Sequence, residues 1–286
     1  MRLATFSVEG RGVSYGAIVE GGIVNLGRTL GNNYPTLLDL IRGNALAAAR
    51  TAADDTPDFT LDQIKFLPPV PGAEKILCVG INYPDRSAEY KDAREKPKYP
   101  NLFVRFPGSL VGHEHPIIRP KVSEKFDYEG EIVLVIGREG RNISRERALE
   151  HVFGMTLGNE GSVRDWLRHG TLNVTQGKNF DRSGSIGPWI VTTDEADPGQ
   201  KLHLTTHVNG ELRQDDTTDR LNWDFAELIR YITMFTTLKP GDLLFTGTPI
   251  GAGGHQSPPK WLVPGDVVEV SVPQIGILRN TVEDET

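Results

Sequence analysis

The hydrophobic positions of the chain follow two patterns, short apolar runs and strict alternation, and both predict strands. Residues 132–136 (Ile-Val-Leu-Val-Ile) form an apolar run that ends at Gly137, which predicts a buried strand. Residues 75–80 and 153–157 are similar runs. Residues 203–208 alternate instead, and the Asn209-Gly210 pair that follows predicts a hairpin with a second strand from Glu211.

Helical patterns are fewer and shorter than the strand patterns. Residues 36–41 after Pro35, and the Ala-rich segment to Ala53, predict helices. Residues 144–152 predict a helix with Ser144 as its cap. Residues 225–232 fit an amphipathic helix that is capped by Asn222 or Asp224. Many short strands with few helices predict an α+β fold dominated by strands.

A proline-rich segment divides the chain into two predicted units. Residues 67–72 (Leu-Pro-Pro-Val-Pro-Gly) are the clearest linker, because prolines stiffen the chain and remove backbone donors. We therefore predict a small N-terminal α/β domain at residues 1–70 and a larger catalytic domain at residues 71–286.

Composition narrows the class of protein. A chain of 286 residues with a net charge of −7 gives no reason to expect nucleic acid or an anionic membrane as a partner. No run approaches the ~20 apolar residues of a spanning helix, so a soluble, cytoplasmic protein is expected. Cys78 is the single cysteine, which excludes an internal disulfide, and its apolar surroundings predict a buried, inert thiol.

The first candidate for chemistry is the segment 127–131 (Asp-Tyr-Glu-Gly-Glu), directly before the run at 132–136. If the strand begins at Glu129, then Glu129 and Glu131 share one face, with Cα atoms about 6.6–6.8 Å apart. Two such carboxylates repel each other unless positive charge lies between them, and Mg²⁺ and Mn²⁺ prefer oxygen ligands. A solvated strand end with two exposed acids is the alternative.

Other polar groups follow predicted strands, where side chains often project into a site. Glu89 comes soon after the strand at 75–80, Glu160 follows the strand at 153–157, and Lys178 follows Gly177. The glycine-rich stretch at 247–254 matches neither the P-loop nor the dinucleotide-binding spacing, so we exclude nucleotide binding.

Taken together, these stretches resemble the fumarylacetoacetate hydrolase family from about residue 75 to residue 280. Six motifs carry the resemblance in the family's order, and they lie at Asn82-Tyr83, residues 127–131, residues 159–165, Gly177-Lys178, residues 187–189 and residues 246–249. The resemblance implies a mixed β-sheet roll, a homodimer, a bound Mg²⁺ or Mn²⁺ ion, and a small 2-oxo acid as substrate.

The resemblance also implies roles for individual residues. It implies that Glu129, Glu131 and Glu160 bind the metal. It implies catalytic roles for Glu89 as general base, for Lys178 and for Arg86. It places the substrate beside further residues, namely Tyr83, Arg105, Gly247, Thr248 and Gly251.

Three departures from the family pattern bear on the reaction. Glu160 replaces an aspartate, Leu167 replaces a glutamine, and Arg86 replaces the histidine that hydrolases pair with the general base. Arginine stays protonated and cannot relay a proton, but it can bind a substrate carboxylate.

Three functions follow from these observations. Hydrolysis of a C–C bond in an acylpyruvate or related 2-oxo acid, as in aromatic catabolism, is the first. Isomerisation or decarboxylation of a 2-oxo dicarboxylate such as a 2-hydroxyhepta-2,4-diene-1,7-dioate, which Arg86 favours, is the second. A non-catalytic metal- or ligand-binding protein is the third.

Overall fold

The computed structural model describes residues 1–53, 56–90, 98–170 and 173–286. The strands are β1 (Arg2–Val8), β2 (Gly12–Val19), β3 (Gly22–Asn25), β4 (Lys65–Phe66), β5 (Ile76–Gly80), β6 (Asn101–Val104), β7 (Leu110–Val111), β8 (Ile117–Arg119), β9 (Phe126–Asp127), β10 (Gly130–Ile136), β11 (Val152–Asn159), β12 (Ser162–Val163), β13 (Gly184–Thr192), β14 (His203–Val208), β15 (Glu211–Thr217), β16 (Leu243–Phe245), β17 (Val267–Val272) and β18 (Gly276–Asp284). The α-helices are α1 (Leu26–Leu30), α2 (Leu37–Arg42), α3 (Leu46–Ala52), α4 (Thr175–Lys178) and α5 (Phe225–Thr233). The 3₁₀ helices are Leu61–Gln63, Pro84–Tyr90, Pro107–Ser109, Arg145–His151, Trp166–Arg168, Thr218–Arg220 and Gly253–His255.

The strands of the described residues form one large sheet, one smaller sheet and a short pair. The large sheet has eleven strands in the order β3-β2-β1-β13-β11-β10-β16-β5-β6, with β4 beside β1 and β7 beside β13. The smaller sheet has five strands in the order β15-β14-β17-β18-β8, and β9 pairs with β12. Most neighbours are antiparallel, but β16 and β5 are parallel. The predicted strand-dominated α+β class with a mixed sheet is confirmed.

Strand β10 is buried on both faces, which explains its continuous apolar sequence. Ile132 and Leu134 pack in a core with the smaller sheet and with Leu228 of α5. Val133 and Val135 face the other way, into a core that includes residues of β1 and α2. Burying each such side chain stabilises the fold by about 1.5–3 kcal/mol, so β10 is a central structural element.

The N-terminal unit shares its sheet and core with the rest of the chain. Strand β1 pairs with β13, with Arg2 opposite Val191. Leu40 of α2 belongs to the same core as Val133 and Val135 of β10. The division at residues 70 and 71 stays a prediction, but residues 1–70 are not separated from the larger unit by a gap in sheet pairing.

Helices α2 and α5 begin where the sequence predicted, whereas a third predicted helix is of a different type. Helix α2 begins with a capping box between Thr36 and Asp39, and α5 is capped by Asp224, whose side chain accepts from the Glu227 backbone N–H. The helix predicted at 144–152 is instead the 3₁₀ helix Arg145–His151. Its buried residues lie three apart, a spacing that a 3₁₀ helix places on one side.

No helix in the described ranges has both the length and the apolar character needed to cross a membrane.

Four strand ends meet at one edge of the large sheet. Strand β10 is antiparallel to both β11 and β16, and β16 is parallel to β5. The start of β10 therefore lies beside the ends of β11, β16 and β5. The segments that leave these strands carry Glu160, Gly247 and Asn82, so residues far apart in sequence are brought together there.

Candidate active site

Three buried glutamates converge at this edge of the sheet. Glu129 and Glu131 flank the first residue of β10, and Glu160 follows β11 directly. One carboxylate oxygen of each lies within 4.8 Å of those of the other two, and each residue is at most 3% exposed. The structure thus brings together the three glutamates that the sequence predicted as metal ligands. The longer side chain of Glu160 does reach this group, which we call the carboxylate cluster.

Glu129 forms the positively charged side of the carboxylate cluster. Its Oε1 accepts from Nη2 of Arg164 at 2.8 Å and from Nη2 of Arg86, and its Oε2 accepts from Nζ of Lys178. Burial acts to raise the pKa of Glu129, but Lys178, Arg164 and Arg86 outweigh it and hold that pKa well below its ordinary value. Glu129 is therefore a carboxylate fully engaged by cations.

Glu131 and Glu160 form a side of the cluster with much less positive charge. Glu131 Oε2 accepts from the Gly247 backbone N–H at 2.7 Å, and Glu160 Oε2 accepts from Lys178 Nζ at 2.9 Å. Glu160 Oε1 is buried and has no hydrogen-bond partner within the described residues. Burial, together with the charges of Glu160 and Glu129, raises the pKa of Glu131 well above its ordinary value.

These features fit a hard divalent cation. A buried carboxylate oxygen without a partner is costly, and a metal ion would give Glu160 Oε1 the contact it lacks. Ionised Glu131 is disfavoured by its neighbours, and added positive charge would remove that penalty. The donors are all carboxylate oxygens, the ligand type that Mg²⁺ and Mn²⁺ prefer. The carboxylate cluster can therefore hold either ion.

Asp127 and Arg164 anchor the site, although the sequence analysis gave them no role. Arg164 Nε donates to Asp127 Oδ2 at 2.7 Å while the same guanidinium reaches Glu129. Asp127 also accepts from the backbone N–H groups of Gly253 and Gly254, at 2.8 and 2.9 Å. Both residues lie inside the motifs at 127–131 and 159–165, so their position there was the available signal.

The glycine-rich stretch at 247–254 wraps around the cluster. Gly247 and Gly251 have φ angles of +101° and +106°, in the region that favours glycine. A Cβ at Gly251 would also lie 1.9 Å from the Arg213 carbonyl oxygen. Thr248 lies in this stretch too, and its Oγ1 accepts from Gln214 Nε2 at 2.8 Å. Because these two positions are glycines, the backbone of this stretch can approach both Glu131 and Arg213 closely.

The 3₁₀ helix Pro84–Tyr90 brings Arg86 and Glu89 to the site. Arg86 is 2% exposed, and its Nη1 donates to Glu89 Oε2 while its Nη2 reaches Glu129. Glu89 is half-buried, and its Oε1 accepts from the Gly251 N–H at 2.9 Å. Arg86 thus connects the predicted general base with the carboxylate cluster.

Asn82 and Tyr83 lie directly before that helix, and both are buried. Asn82 is held by both donor and acceptor contacts, because its Nδ2 donates to the Thr246 carbonyl at 2.7 Å and its Oδ1 accepts from the Trp223 N–H. Burial, and then Asp216 and Glu131, raise the pKa of the Tyr83 hydroxyl. Tyr83 is therefore a neutral phenol near the cluster.

Two predicted groups have surroundings that the sequence did not show. Arg105 was expected to bind substrate, but its guanidinium donates to Ser109 Oγ, the Gly161 carbonyl and Ser183 Oγ at 3.0–3.1 Å. These contacts hold the turn after Glu160 in place, and the substrate-binding role of Arg105 stays a prediction. Leu167 packs on the chain just before Lys178, since a Cβ at Gly177 would lie 2.6 Å from Leu167 Cδ2.

The single cysteine lies on β5 near the site and is fully buried, as predicted. Burial, and then the charges of Glu160 and Glu131, raise the pKa of the Cys78 thiol well above its ordinary value. The sulfur therefore stays protonated and is a poor nucleophile.

Comparisons with known proteins agree with this geometry. Residues 75–283 match the family described as fumarylacetoacetate (FAA) hydrolase C-terminal. Over 289 residues the chain is 36% identical to the mitochondrial oxaloacetate tautomerase Fahd2a of Rattus norvegicus, covering 99% of this chain and 91% of that protein. By their names, Fahd2a and the two structural relatives that follow are enzymes.

Two solved structures extend the comparison, and in both the match covers 100% of each chain. The fumarylacetoacetate hydrolase EaFAH from psychrophilic Exiguobacterium antarcticum has a TM-score of 0.81 and 32% identity. The 5-carboxymethyl-2-hydroxymuconate delta-isomerase from Mycobacterium smegmatis has a TM-score of 0.77 and 28% identity. A tautomerase, a hydrolase and an isomerase therefore share this fold.

Proposed function

Because the chain belongs to the fumarylacetoacetate hydrolase family, we propose that it moves a proton beside the carbonyl of a small 2-oxo dicarboxylic acid. This is the isomerase alternative raised by the sequence, in the form of a tautomerase or isomerase, with Mg²⁺ or Mn²⁺ held by Glu129, Glu131 and Glu160. The ion would supply positive charge that stabilises negative charge on the 2-oxo oxygen in the transition state.

The contact between Arg86 and Glu89 carries this proposal. In the family's hydrolases a histidine would stand at position 86 and could pass a proton to and from the glutamate. The guanidinium of Arg86 keeps its protons, so it can donate hydrogen bonds to Glu89 but cannot take up a proton from it. A carboxylate held in this way can accept a single proton from carbon, but it lacks a partner that shuttles protons from water.

The remaining residues have roles that follow from their contacts. Glu89 is the group that accepts and returns the proton, and the Gly251 N–H orients it. Lys178 is held by Glu129 and Glu160 and places a positive charge next to both carboxylates. Tyr83 contributes a neutral hydroxyl, and Gly247, Thr248 and Gly251 line the place for the substrate carboxylate.

Hydrolysis of a C–C bond remains the second candidate. The observation that favours it is Glu89 itself, which is half-buried and is linked through Arg86 to Glu129 of the carboxylate cluster. EaFAH, at 32% identity over the whole chain, bears the name of a hydrolase. Hydrolysis would require Glu89 to activate water without help from a histidine.

One assay separates these candidates. With Mg²⁺ present, the proposal expects faster loss of the enol absorbance of oxaloacetate and no release of pyruvate from an acylpyruvate. Pyruvate release would instead support the hydrolase. Both activities should disappear with EDTA and in Glu129→Ala. Turnover that never exceeds the uncatalysed rate would leave the non-catalytic alternative.

Homodimer formation and a cytoplasmic location stay predictions. Light scattering on the purified chain would test the first, with a mass twice that of the 31.5 kDa chain expected.

A further inference from the structure

Both oxygens of Glu129 already contact positively charged side chains. Arg164 and Arg86 donate to Oε1, and Lys178 donates to Oε2. The free acceptor positions of the carboxylate cluster lie elsewhere, above all at Glu160 Oε1. A divalent ion that also binds Glu129 would lie beside these cations and would repel them. The three cations differ in how firmly they are held.

Arg164 and Lys178 are each fixed by a second buried carboxylate. Arg164 Nε is held by Asp127 at 2.7 Å, and Asp127 is in turn fixed by backbone N–H groups. Lys178 bridges Glu129 and Glu160 and is 5% exposed. Moving either one would break an ion pair inside the fold and leave a buried acid without its partner.

Arg86 differs because its second carboxylate is less buried, with the Glu89 side chain 14% exposed against 0% for Asp127 and 2% for Glu160. Glu89 lies three residues further along the same 3₁₀ helix and is half-buried. Arg86 can leave Glu129 and still keep its ion pair with Glu89. Of the three cations, Arg86 is therefore the one whose second ion pair is most accessible to solvent.

We propose that Arg86 is a counter-ion that exchanges between two anions and thereby determines substrate specificity. In the metal-free protein it binds Glu129 and competes with the divalent ion. When the ion binds, Arg86 turns, still paired with Glu89, and binds the distal carboxylate of a 2-oxo dicarboxylic acid. This rests on the proposed function and adds the group that selects a dicarboxylate over a monocarboxylate.

Two properties follow from the exchange. Metal and dicarboxylate binding are positively coupled, because each favours the position of Arg86 that the other requires, and such coupling is reciprocal. The guanidinium suits this task because its planar fork can bind a carboxylate through two hydrogen bonds.

The metal half is tested by calorimetric titration of the full chain with Mn²⁺ alone. Arg86→Gln should bind Mn²⁺ more tightly than the unmodified chain, by at least about fivefold, the lower end of usual coupling. Arg220→Gln is the matched control, since Arg220 pairs with Asp85 on the other side of the same helix. It should leave Mn²⁺ affinity unchanged. Equal or weaker binding by Arg86→Gln, or an equal gain in Arg220→Gln, would overturn the exchange.

The substrate half compares two four-carbon 2-oxo acids that differ only in the distal group. With Mn²⁺ present, Arg86→Gln should raise the KM for oxaloacetate at least about tenfold, the effect of losing one charge-assisted hydrogen bond. The inhibition constant of 2-oxobutyrate, which has a methyl group there, should stay within about twofold. Arg86→Lys, which keeps the charge, should recover part of the KM. An equal change for both acids would contradict the specificity role.

The proposed function and the exchange of Arg86 would be contradicted by different results. If the unmodified chain binds no Mn²⁺ and behaves like Glu129→Ala, the metal-dependent function itself is wrong. If it binds Mn²⁺ and Arg86→Gln changes neither measurement, only the exchange is wrong. Thermal unfolding of each variant identifies one that fails to fold, and Arg86→Met, which also removes the charge, then serves in place of Arg86→Gln.

Discussion

Glu129 and Glu131 lie two residues apart at the start of one strand, share one face and are both buried. The charges that surround them, however, are opposite in sign. Glu129 contacts Arg86, Arg164 and Lys178, and its pKa is far below the ordinary value. Glu131 contacts a backbone N–H, and its pKa is far above that value. The site therefore has a compensated side and an uncompensated side.

This difference shows that burial alone does not determine the charge of a carboxylate. Burial acts to raise the pKa of both residues, and the nearby charges separate them, because three cations lower the pKa of Glu129 whereas Glu160 and Glu129 raise that of Glu131. An added cation would stabilise the uncompensated side most. On the compensated side, the charge of Glu129 is already balanced by protein cations when no metal ion is bound.

The largest expected effect comes from removing the cation that bridges the two sides. Lys178→Met leaves Glu129 and Glu160 without their shared partner and should lower the free energy of unfolding by about 3–5 kcal/mol in metal-free protein. Urea denaturation measures this. Lys201→Met, which breaks the surface pair with Asp219, is the control and should change little. Similar effects in both variants would show that burial of the bridge is unimportant.

Changing the anchor of the compensated side should have a smaller effect. Asp127→Asn keeps the shape but removes the charge beside Arg164, and should cost about 1–3 kcal/mol in unfolding free energy. It should also lower turnover, because the loop that carries Gly251 loses its attachment. Asp266→Asn provides the control in a turn at the surface, where Asp266 accepts from the Val263 N–H. Unaltered turnover in Asp127→Asn would contradict the anchoring role.

Arg105 tests the uncompensated side without touching its acids. Arg105→Lys keeps the charge but cannot reach Ser109, Gly161 and Ser183 together, so the turn after Glu160 should loosen. We expect Mn²⁺ affinity to fall about tenfold, the lower end of effects from residues that orient ligands. Arg119→Lys, at a surface pair with Asp284, should leave the affinity unchanged. A raised KM with normal Mn²⁺ affinity would instead support the substrate-binding role that the sequence predicted for Arg105.

The smallest expected effect concerns pH. In metal-free protein Glu131 keeps its proton above the ordinary pKa of 4.5, where the unfolded chain has lost it. The native state then binds more protons, so the free energy of unfolding falls as pH rises through the raised pKa. Glu131→Gln should reduce this loss by at least about 1 kcal/mol between about pH 5 and about pH 8.

The matched variant for this experiment is Glu129→Gln. Because the pKa of Glu129 is lowered, its contribution is present above 4.5 and is lost as pH falls below it. Glu129→Gln should therefore change the acidic part of the stability curve, whereas Glu131→Gln changes the part above 4.5. Urea denaturation across pH separates the two, and identical curves would mean that the two sides do not differ.

Much of the framework was predictable from local pattern. The apolar run of β10, the alternation of β14, the Asn209-Gly210 hairpin and the helix α5 all lie where periodicity placed them. The three acids of the carboxylate cluster were also identified, because they lie in motifs that resemble those of the fumarylacetoacetate hydrolase family. The helix at 144–152 was assigned the wrong type, since short helices of both kinds have similar end signals.

The roles of the arginines were less predictable. Arg164 lies tens of residues from its two acids, and Arg105 lies tens of residues from Gly161 and Ser183, so the sequence shows only that each is basic. Arg105 proved to support a turn, and Arg164 proved to contact two buried acids. Long side chains can reach several partners, so only the folded arrangement selects among them.

The sequence by itself determined the strand pattern, the shared face of Glu129 and Glu131, and the arginine that replaces a proton-relaying histidine at position 86. These follow from neighbours along the chain and from the chemistry of each side chain. Only the tertiary structure decided which acid each cation joins, and therefore that Glu129 is compensated while Glu131 is not. The physical reason is that electrostatic energy depends on distances through the fold, and these arise from strand pairings that connect residues far apart in sequence.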